Sequence, residues 1–360
     1  MEHQDDSGAH SFHLTPRRIA NVAQQSTPEL ANAEVRERQE QTIAEAFAND
    51  GFFVLRQSLD SDALLPFRDF ADSYFERCFR DLYDHGHIST PSHRYRETLP
   101  GGQGVRDEVT DTSRNQGNFV YTLQKGVSNG FREIVMRSPG RYELSLLQFL
   151  REHNEDKNSN EEISIVHRLD ENLQRLVEPM KSLLPRLVGP GYTRYDELKL
   201  CHLSLLIATH GSSDQSWHAD GGHASVSEHL PCHVFNVFFP LQDTPRELGP
   251  TELRPSSQFL TRNLGPMMLA ARCRKTLRPP VWPELALGDA IFLDYRVLHR
   301  GRANRSGGRF PAGNRNYLVL TYSEPWFEDV LNFPKRSLYG PNEDDREPNA
   351  GTECNKHQTR

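Results

Sequence analysis

The chain has 360 residues, and 42 Lys and Arg against 49 Asp and Glu leave a formal net charge of −7. That length allows one large or two ordinary domains with a sizeable core, and a mean hydropathy of −0.69 suggests polar tails on a globular body rather than disorder throughout. A mildly acidic balance with no basic block argues against nucleic acid as a partner, and no apolar run approaches the ~18 residues of a membrane-spanning helix.

In chain order, residues 1–30 are polar and aperiodic, so a disordered N-terminal tail is expected. The opening Met1-Glu2-His3-Gln4-Asp5-Asp6 is acidic where a secretory signal would be basic and then apolar. Five scattered cysteines (Cys78, Cys201, Cys232, Cys273, Cys354) form no Cys-x-x-Cys pair. A cytoplasmic protein with reduced thiols is the expectation. A helix is predicted over 33–49, with Val35, Ile43 and Phe47 on one face and Gly51 as its stop. The strand Phe52-Phe53-Val54-Leu55 follows. A second helix begins near Asp60 or Ser61 and buries Leu64, Phe67, Ala71, Phe75, Cys78 and Phe79. The Gly-, Arg- and Thr-rich stretch 94–125 takes no assignment. A third helical region over 162–187 carries Leu169, Leu173, Leu176, Met180 and Leu183 in register, with Pro179 and Pro185 kinking or ending it.

Beyond Gly189-Pro190-Gly191, read as a hinge, the texture changes. Strands are predicted over 198–208, 232–241, 290–295 and 316–322, separated by turns rich in Gly, Pro, Ser and Asp. Residues 341–360 read as a second disordered tail. Helices first and then strands, without alternation, predict a mainly β fold with flanking helices, an antiparallel sandwich or barrel. One domain over 31–335 is expected, helical in its N-terminal half, with the β core mostly in 190–325.

The chemistry concentrates in Trp217-His218-Ala219-Asp220. In extended chain, residues i and i+2 project to the same side, so His218 and Asp220 can aim an imidazole and a carboxylate at one point. His299, directly after the predicted strand 290–295, is the best third ligand. Two histidines and a carboxylate on one face of an octahedral ion leave three open positions, the arrangement of non-haem Fe(II) oxygenases. A His-x-Asp pair alone is weak evidence, since His3-Gln4-Asp5 also has it; the strands on either side set 218–220 apart.

A chelating dicarboxylate co-substrate would need a cation for its far end, and Arg suits because its planar fork binds carboxylate bidentately. Arg315 opens the strand to Tyr322 and is either paired structurally or bound to an anion. Arg309, in a Gly-rich loop, is the competitor. Asn236 either points into a cavity or ties a loop. Trp217 either lines the pocket or packs. His202 reads as a satisfied core histidine, and His210, His223, His229 and His233 as surface or cavity-lining imidazoles rather than a second metal site.

These stretches resemble the phytanoyl-CoA dioxygenase family of Fe(II)/2-oxoglutarate-dependent oxygenases. Besides 217–220, the resemblance rests on Phe235-Asn236-Val237-Phe238-Phe239-Pro240-Leu241-Gln242-Asp243 and on Gly249-Pro250-Thr251-Glu252-Leu253-Arg254-Pro255-Ser256-Ser257-Gln258. Gly288-Asp289, His299-Arg300-Gly301, Asn304-Arg305-Ser306 and Arg315 extend it, and Asn49-Asp50-Gly51-Phe52-Phe53-Val54-Leu55 looks like the family's opening strand. The resemblance implies a double-stranded β-helix (a cupin-like jelly roll) with Fe(II) on His218, Asp220 and His299. It also implies 2-oxoglutarate held by Arg315 with help from Thr251, and O2 as oxidant. The sequence departs from the family at Pro255-Ser256-Ser257-Gln258, where Pro-Gly-Ser-His is usual, and in a longer interval between His299 and the Arg. Halogenating relatives have a small residue in place of Asp220, so its presence implies hydroxylation or desaturation.

The expected function is oxidation of a small, largely apolar organic molecule, such as a secondary metabolite, coupled to conversion of 2-oxoglutarate into succinate and CO2. Neither nucleic acid nor membrane is an expected partner, and a homodimer is left open. Segments 94–125 and 259–283 are expected to shape the pocket. The rival readings are a cupin-type metal protein that uses no 2-oxoglutarate and a non-catalytic jelly-roll partner subunit.

Overall fold

In the computed structural model, which describes residues 33–57, 59–88, 130–147, 149–150, 160–189, 191–192, 194–263, 277–307, 313–329 and 332–339, helix α1 (Ala33–Asp50) turns Ile43 and Phe47 inward. It closes at Gly51, whose amide bonds Phe47 O and whose φ is +79°. Strand β1 (Phe52–Leu55) follows at once. Asp60 accepts from the amide of Asp62 and caps a short 3-10 turn, after which α2 (Leu65–Asp84) presents Phe67, Ala71, Phe75, Cys78 and Phe79 to the core. Each buried Phe contributes roughly 1.5–3 kcal/mol. The third helical region breaks at the expected prolines: α3 (Asn160–Val177) gives way to a 3-10 turn containing Pro179, and Pro185 lies in the first turn of α4 (Leu184–Val188). The tails at 1–30 and 341–360, segment 94–125, Arg309, Cys273 and Cys354 lie outside the described residues.

The strands form two antiparallel sheets. The large one has the order β1-β7-β5-β9-β4-β3-β2. Its members are β2 (Ile134–Ser138), β3 (Arg141–Ser145), β4 (Lys199–Ala208), β5 (Val234–Pro240), β7 (Ala290–Asp294) and β9 (Arg315–Ser323), beside β1. The hairpin β2–β3 falls in a stretch to which the sequence assigns no element, within the half expected to be helical, and it extends the large sheet through β4. The small sheet pairs β6 (Thr251–Leu253) with β8 (His299–Gly301) and is widened by bridges from His218 to His299 and from Val281 to Leu253. The fold is mainly β with flanking helices, a double-stranded β-helix whose sheets face one another without closing into a barrel.

Alternation along the strands sorts the side chains into two layers. Phe235, Val237 and Phe239 of β5 join Leu318, Leu320 and Tyr322 of β9 and Leu203, Leu205 and Ile207 of β4 in the core beneath the helices. On the opposite face, Phe238, Tyr317, Val319, Ile291 and Leu293 pack towards Leu253 and Val297. Polar residues of that same face, Asn236, Arg315 and Thr321 among them, line a cavity between the sheets.

The turn Pro255-Ser256-Ser257-Gln258 shows how the family departure is accommodated. Ser256 adopts the left-handed region at φ 61°, a conformation tolerated at some cost outside Gly, and its hydroxyl bonds Asn49 O at 3.0 Å. Gln258 donates to Ala48 O and Asn49 O, fastening the end of α1. A Cβ on Gly51 would stand 2.2 Å from Val297 Cγ2 and 2.6 Å from Gln258 Oε1. The left-handed backbone adds about 1–2 kcal/mol for an L side chain and overpacking about 1–3. Gly51→Ala is therefore expected to lower unfolding free energy by about 2–5 kcal/mol in urea denaturation; a change within ~0.5 kcal/mol would show that the junction relaxes freely.

Candidate metal centre

The segment before Asp220 runs antiparallel to β8. Gln215 N bonds Gly301 O at 2.9 Å, His218 N bonds His299 O at 3.1 Å, and His299 N bonds His218 O at 2.8 Å. Directly opposed residues of an antiparallel pair point to the same face, so both imidazoles enter the cavity with ring centroids 4.5 Å apart. Trp217 and Arg300 take the other face. There the indole lies between the guanidinium groups of Arg254, at 4.6 Å, and Arg300, at 4.7 Å. Trp217 is thus a packing residue of the small sheet.

Each histidine is fixed in the same way. Nδ1 of His218 lies 2.9 Å from Ser216 O, and Nδ1 of His299 lies 3.0 Å from Val297 O. A carbonyl can only accept, so each Nδ1 carries a proton, and the neutral tautomer of either ring offers its lone pair at Nε2. Nε2 of His218 is 3.8 Å and Nε2 of His299 is 3.5 Å from Asp220 Oδ1. Burial, with His299 alongside, pushes the His218 pKa down to about 4, so the imidazole is neutral near pH 7.

Asp220 is held from several sides. Its amide bonds Tyr295 O at 2.9 Å, and its carbonyl accepts from Asn332 Nδ2 at 2.8 Å. Its Oδ2 accepts from Asn236 Nδ2 at 2.8 Å, while Asn236 Oδ1 accepts from Thr321 Oγ1 at 2.6 Å. Asn236 and Thr321 are register partners on β5 and β9. The carboxylate thus presents Oδ1 alone to the histidines, and Asn236 is the tie rather than a free cavity group. The donor set suits a divalent transition metal: two neutral imidazole nitrogens and one carboxylate oxygen, mutually within 4.8 Å. Among the described residues no other group of three His, Cys, Asp or Glu comes as close.

The same cavity, of about 350 Å³, is lined by Arg315 and Thr251. Arg315 is 1% exposed. It donates from Nη1 to Gly249 O and lies 4.8 Å over the Tyr317 ring. Its Nε is buried without a hydrogen bond, and it meets no carboxylate among the described residues. Burial accordingly lowers its pKa. Arg137 and Glu143 of the β2–β3 hairpin line the same cavity, with Tyr295 and Asn332. Sequence reasoning missed all four, because their distance from the motif in the chain gives no hint of convergence.

Among the described residues, the other histidines do not join the triad. His202 stacks on Phe333 at 3.6 Å, and its Nε2 is buried without a hydrogen bond, contrary to the expected satisfied histidine. Burial pushes it down to about 4. His223 bonds Thr261 Oγ1 at 2.8 Å and faces His229 edge-on at 5.7 Å.

Among known families, the one described as Phytanoyl-CoA dioxygenase (PhyH) matches residues 127–310, just over half of the chain and inclusive of His218, Asp220 and His299. Among solved structures, the chain is similar to AviO1 from Streptomyces viridochromogenes Tue57 at 18% identity, covering 81% of this chain and 97% of that one with a TM-score of 0.44. The non-heme alpha ketoglutarate dependent carbocyclase SnoK from nogalamycin biosynthesis matches at 15% identity over 79% of this chain and 83% of its own, with a TM-score of 0.43. The corresponding epimerase SnoN matches at 14% over 86% and 98%, with a TM-score of 0.41.

Partners that orient a metal ligand typically matter by ten- to a hundredfold in affinity. Asn236→Ala is expected to weaken Mn(II) binding by about that factor in calorimetric titration, and Thr321→Val by less. Unchanged Mn(II) affinity in Asn236→Ala would show that Asp220 is aimed without the amide.

Proposed function

The chain belongs to the phytanoyl-CoA dioxygenase family, and on that premise we propose that it is an Fe(II)/2-oxoglutarate-dependent dioxygenase that oxidises a C–H bond of a small organic substrate, by hydroxylation or desaturation. In this reading His218 Nε2, His299 Nε2 and Asp220 Oδ1 hold the iron. Bound there, iron would supply the oxygen-activating chemistry that couples decarboxylation of 2-oxoglutarate, to succinate and CO2, with substrate oxidation.

The observation that carries the reading is Arg315. A buried guanidinium with no anionic partner is costly unless a ligand supplies one. It lines the same cavity as the three metal-competent side chains. The distal carboxylate of a keto acid would accept from Arg315, with the Thr251 hydroxyl on the same wall. Asn236 and Thr321 hold Asp220 to one donating oxygen, and the main-chain carbonyls of Ser216 and Val297 hold the imidazoles in the required tautomer. Phe238 and Val319 line the same cavity and limit water around the reacting groups.

A cupin-type protein without a keto acid would have no use for an unpaired buried Arg315, and a non-catalytic subunit would have no use for the intact triad. Arg309, the alternative clamp, lies outside the described residues.

A charge-assisted hydrogen bond is worth about 1.5–3 kcal/mol, and about 1.4 kcal/mol is a decade in affinity. Arg315→Ala should therefore weaken 2-oxoglutarate binding by one to two decades, read from the charge-transfer band of the anaerobic Fe(II) complex. Arg309→Ala should leave it within about twofold. The reverse pattern would move the clamp to Arg309. His218→Ala should abolish succinate release, and retained keto-acid consumption in that variant would count against the triad.

A further inference from the structure

Strand β2 is irregular where it meets the cavity. Met136 pairs with Tyr142 but Ser138 pairs with Arg141, so Arg137 is an extra residue without an opposite number. Such β-bulges re-aim side chains and are frequent beside active sites. Met136 and Tyr142 point to the helix-side core, and strict alternation would return Ser138 to that side. With the bulge, the consecutive residues Arg137 and Ser138 both line the cavity.

Both also keep hydrogen-bonding capacity in reserve. Arg137 donates from Nε to Glu143 Oε2 at 2.5 Å and from Nη1 to Asn332 O at 2.8 Å, leaving Nη2 without a partner among the described residues. Its guanidinium lies 4.8 Å over the Phe333 ring, which lines the same wall. Ser138 is 8% exposed, and its Oγ is buried without a hydrogen bond. A buried hydroxyl left unpaired is costly, and a ligand oxygen would remove that cost.

We propose that the bulged hairpin is the substrate-recognition subsite, in which Arg137 Nη2 and Ser138 Oγ together grip an oxygen of an uncharged, ring-containing substrate. The inference rests on the function proposed above. Charge decides the substrate class. Glu143 already neutralises Arg137, and Glu143 Oε1 is occupied by Ser204 at 2.6 Å. Asp220 with the two neutral imidazoles matches a divalent ion in part, and a dianionic keto acid with Arg315 supplies the rest. The loaded cavity then carries no net charge, so a carboxylate or an ammonium would arrive unbalanced in a desolvated space. A hydroxyl or carbonyl oxygen would not. Phe238, Leu206 and Val319 give the same cavity an apolar lining against which a ring can lie. This revises the largely apolar substrate expected from the sequence towards one with a polar handle.

The test uses three probes of one ring size: benzyl alcohol, benzoate and benzylamine. Ligand-observed NMR titrates each against the protein, with and without Fe(II) and 2-oxoglutarate under nitrogen. The wild type should bind benzyl alcohol at least tenfold tighter than either charged probe. Ser138→Ala and Arg137→Gln should each weaken it by about threefold or more, and Glu143→Gln should turn the preference towards benzoate. Preference of the wild type for a charged probe, indifference of all three variants, or no binding of any probe would overturn the proposal. So would a tenfold loss of 2-oxoglutarate affinity in Arg137→Gln, which would assign the grip to the co-substrate. Absence of the Fe(II)–2-oxoglutarate band in the wild type would defeat the proposed function instead, and the probe preferences of the metal-free protein would be read independently of it.

Discussion

One pair of main-chain hydrogen bonds organises the centre. His218 and His299 are far apart in the chain, yet each amide bonds the other's carbonyl, at 3.1 and 2.8 Å. That reciprocal bridge makes them directly opposed residues on the inner face of the small sheet, and two imidazoles must then share one space. The side chains need little further guidance. Each Nδ1 is taken by the carbonyl two residues earlier in its own strand, so the strand geometry that delivers the ring also selects its tautomer. Asp220 follows as the chain leaves the bridge, caught by Tyr295 O and by Asn236 of the opposing sheet.

The second constraint is electrostatic. The large sheet places a fully buried Arg315 in the cavity, where its neighbours are a carbonyl and an aromatic ring rather than an acid. Desolvation of an uncompensated cation costs several kcal/mol. Two strands away on the same sheet the plan is the contrary one. There Arg137 and Glu143 neutralise each other, and both are mostly buried, with side chains 16% and 13% exposed. One cavity thus contains both an unbalanced cation and a balanced ion pair.

The strands around the centre were legible because fully buried strands read as apolar runs: β5 and β9 carry no exposed residue along their lengths. His218 and Asp220 were legible from period-two spacing, and His299 from its place after such a run, with the family resemblance completing the set. Other parts left weaker marks. Strands β6 and β8 are three residues each, too short to show alternation. The hairpin β2–β3 was missed because Arg137, Arg141 and Glu143 interrupt the apolar pattern that marks a strand. For Asn236, alternation gave its face but not its partner, since Asp220 lies on a different element. His202 shows the same limit: sequence placed it in a strand, but its stack on Phe333 and the approach of Asp329 Oδ2 to 4.0 Å from its Nε2 come from a distant segment.

The central claim is that three side chains from two separate stretches of chain hold one iron ion through three named atoms. An anomalous-difference map at the iron absorption edge, from crystals grown anaerobically with Fe(II), addresses it most directly. A single strong peak bonded to His218 Nε2, His299 Nε2 and Asp220 Oδ1 is the predicted result. A peak bonded elsewhere, or none at this position with Fe(II) in excess, would contradict the account.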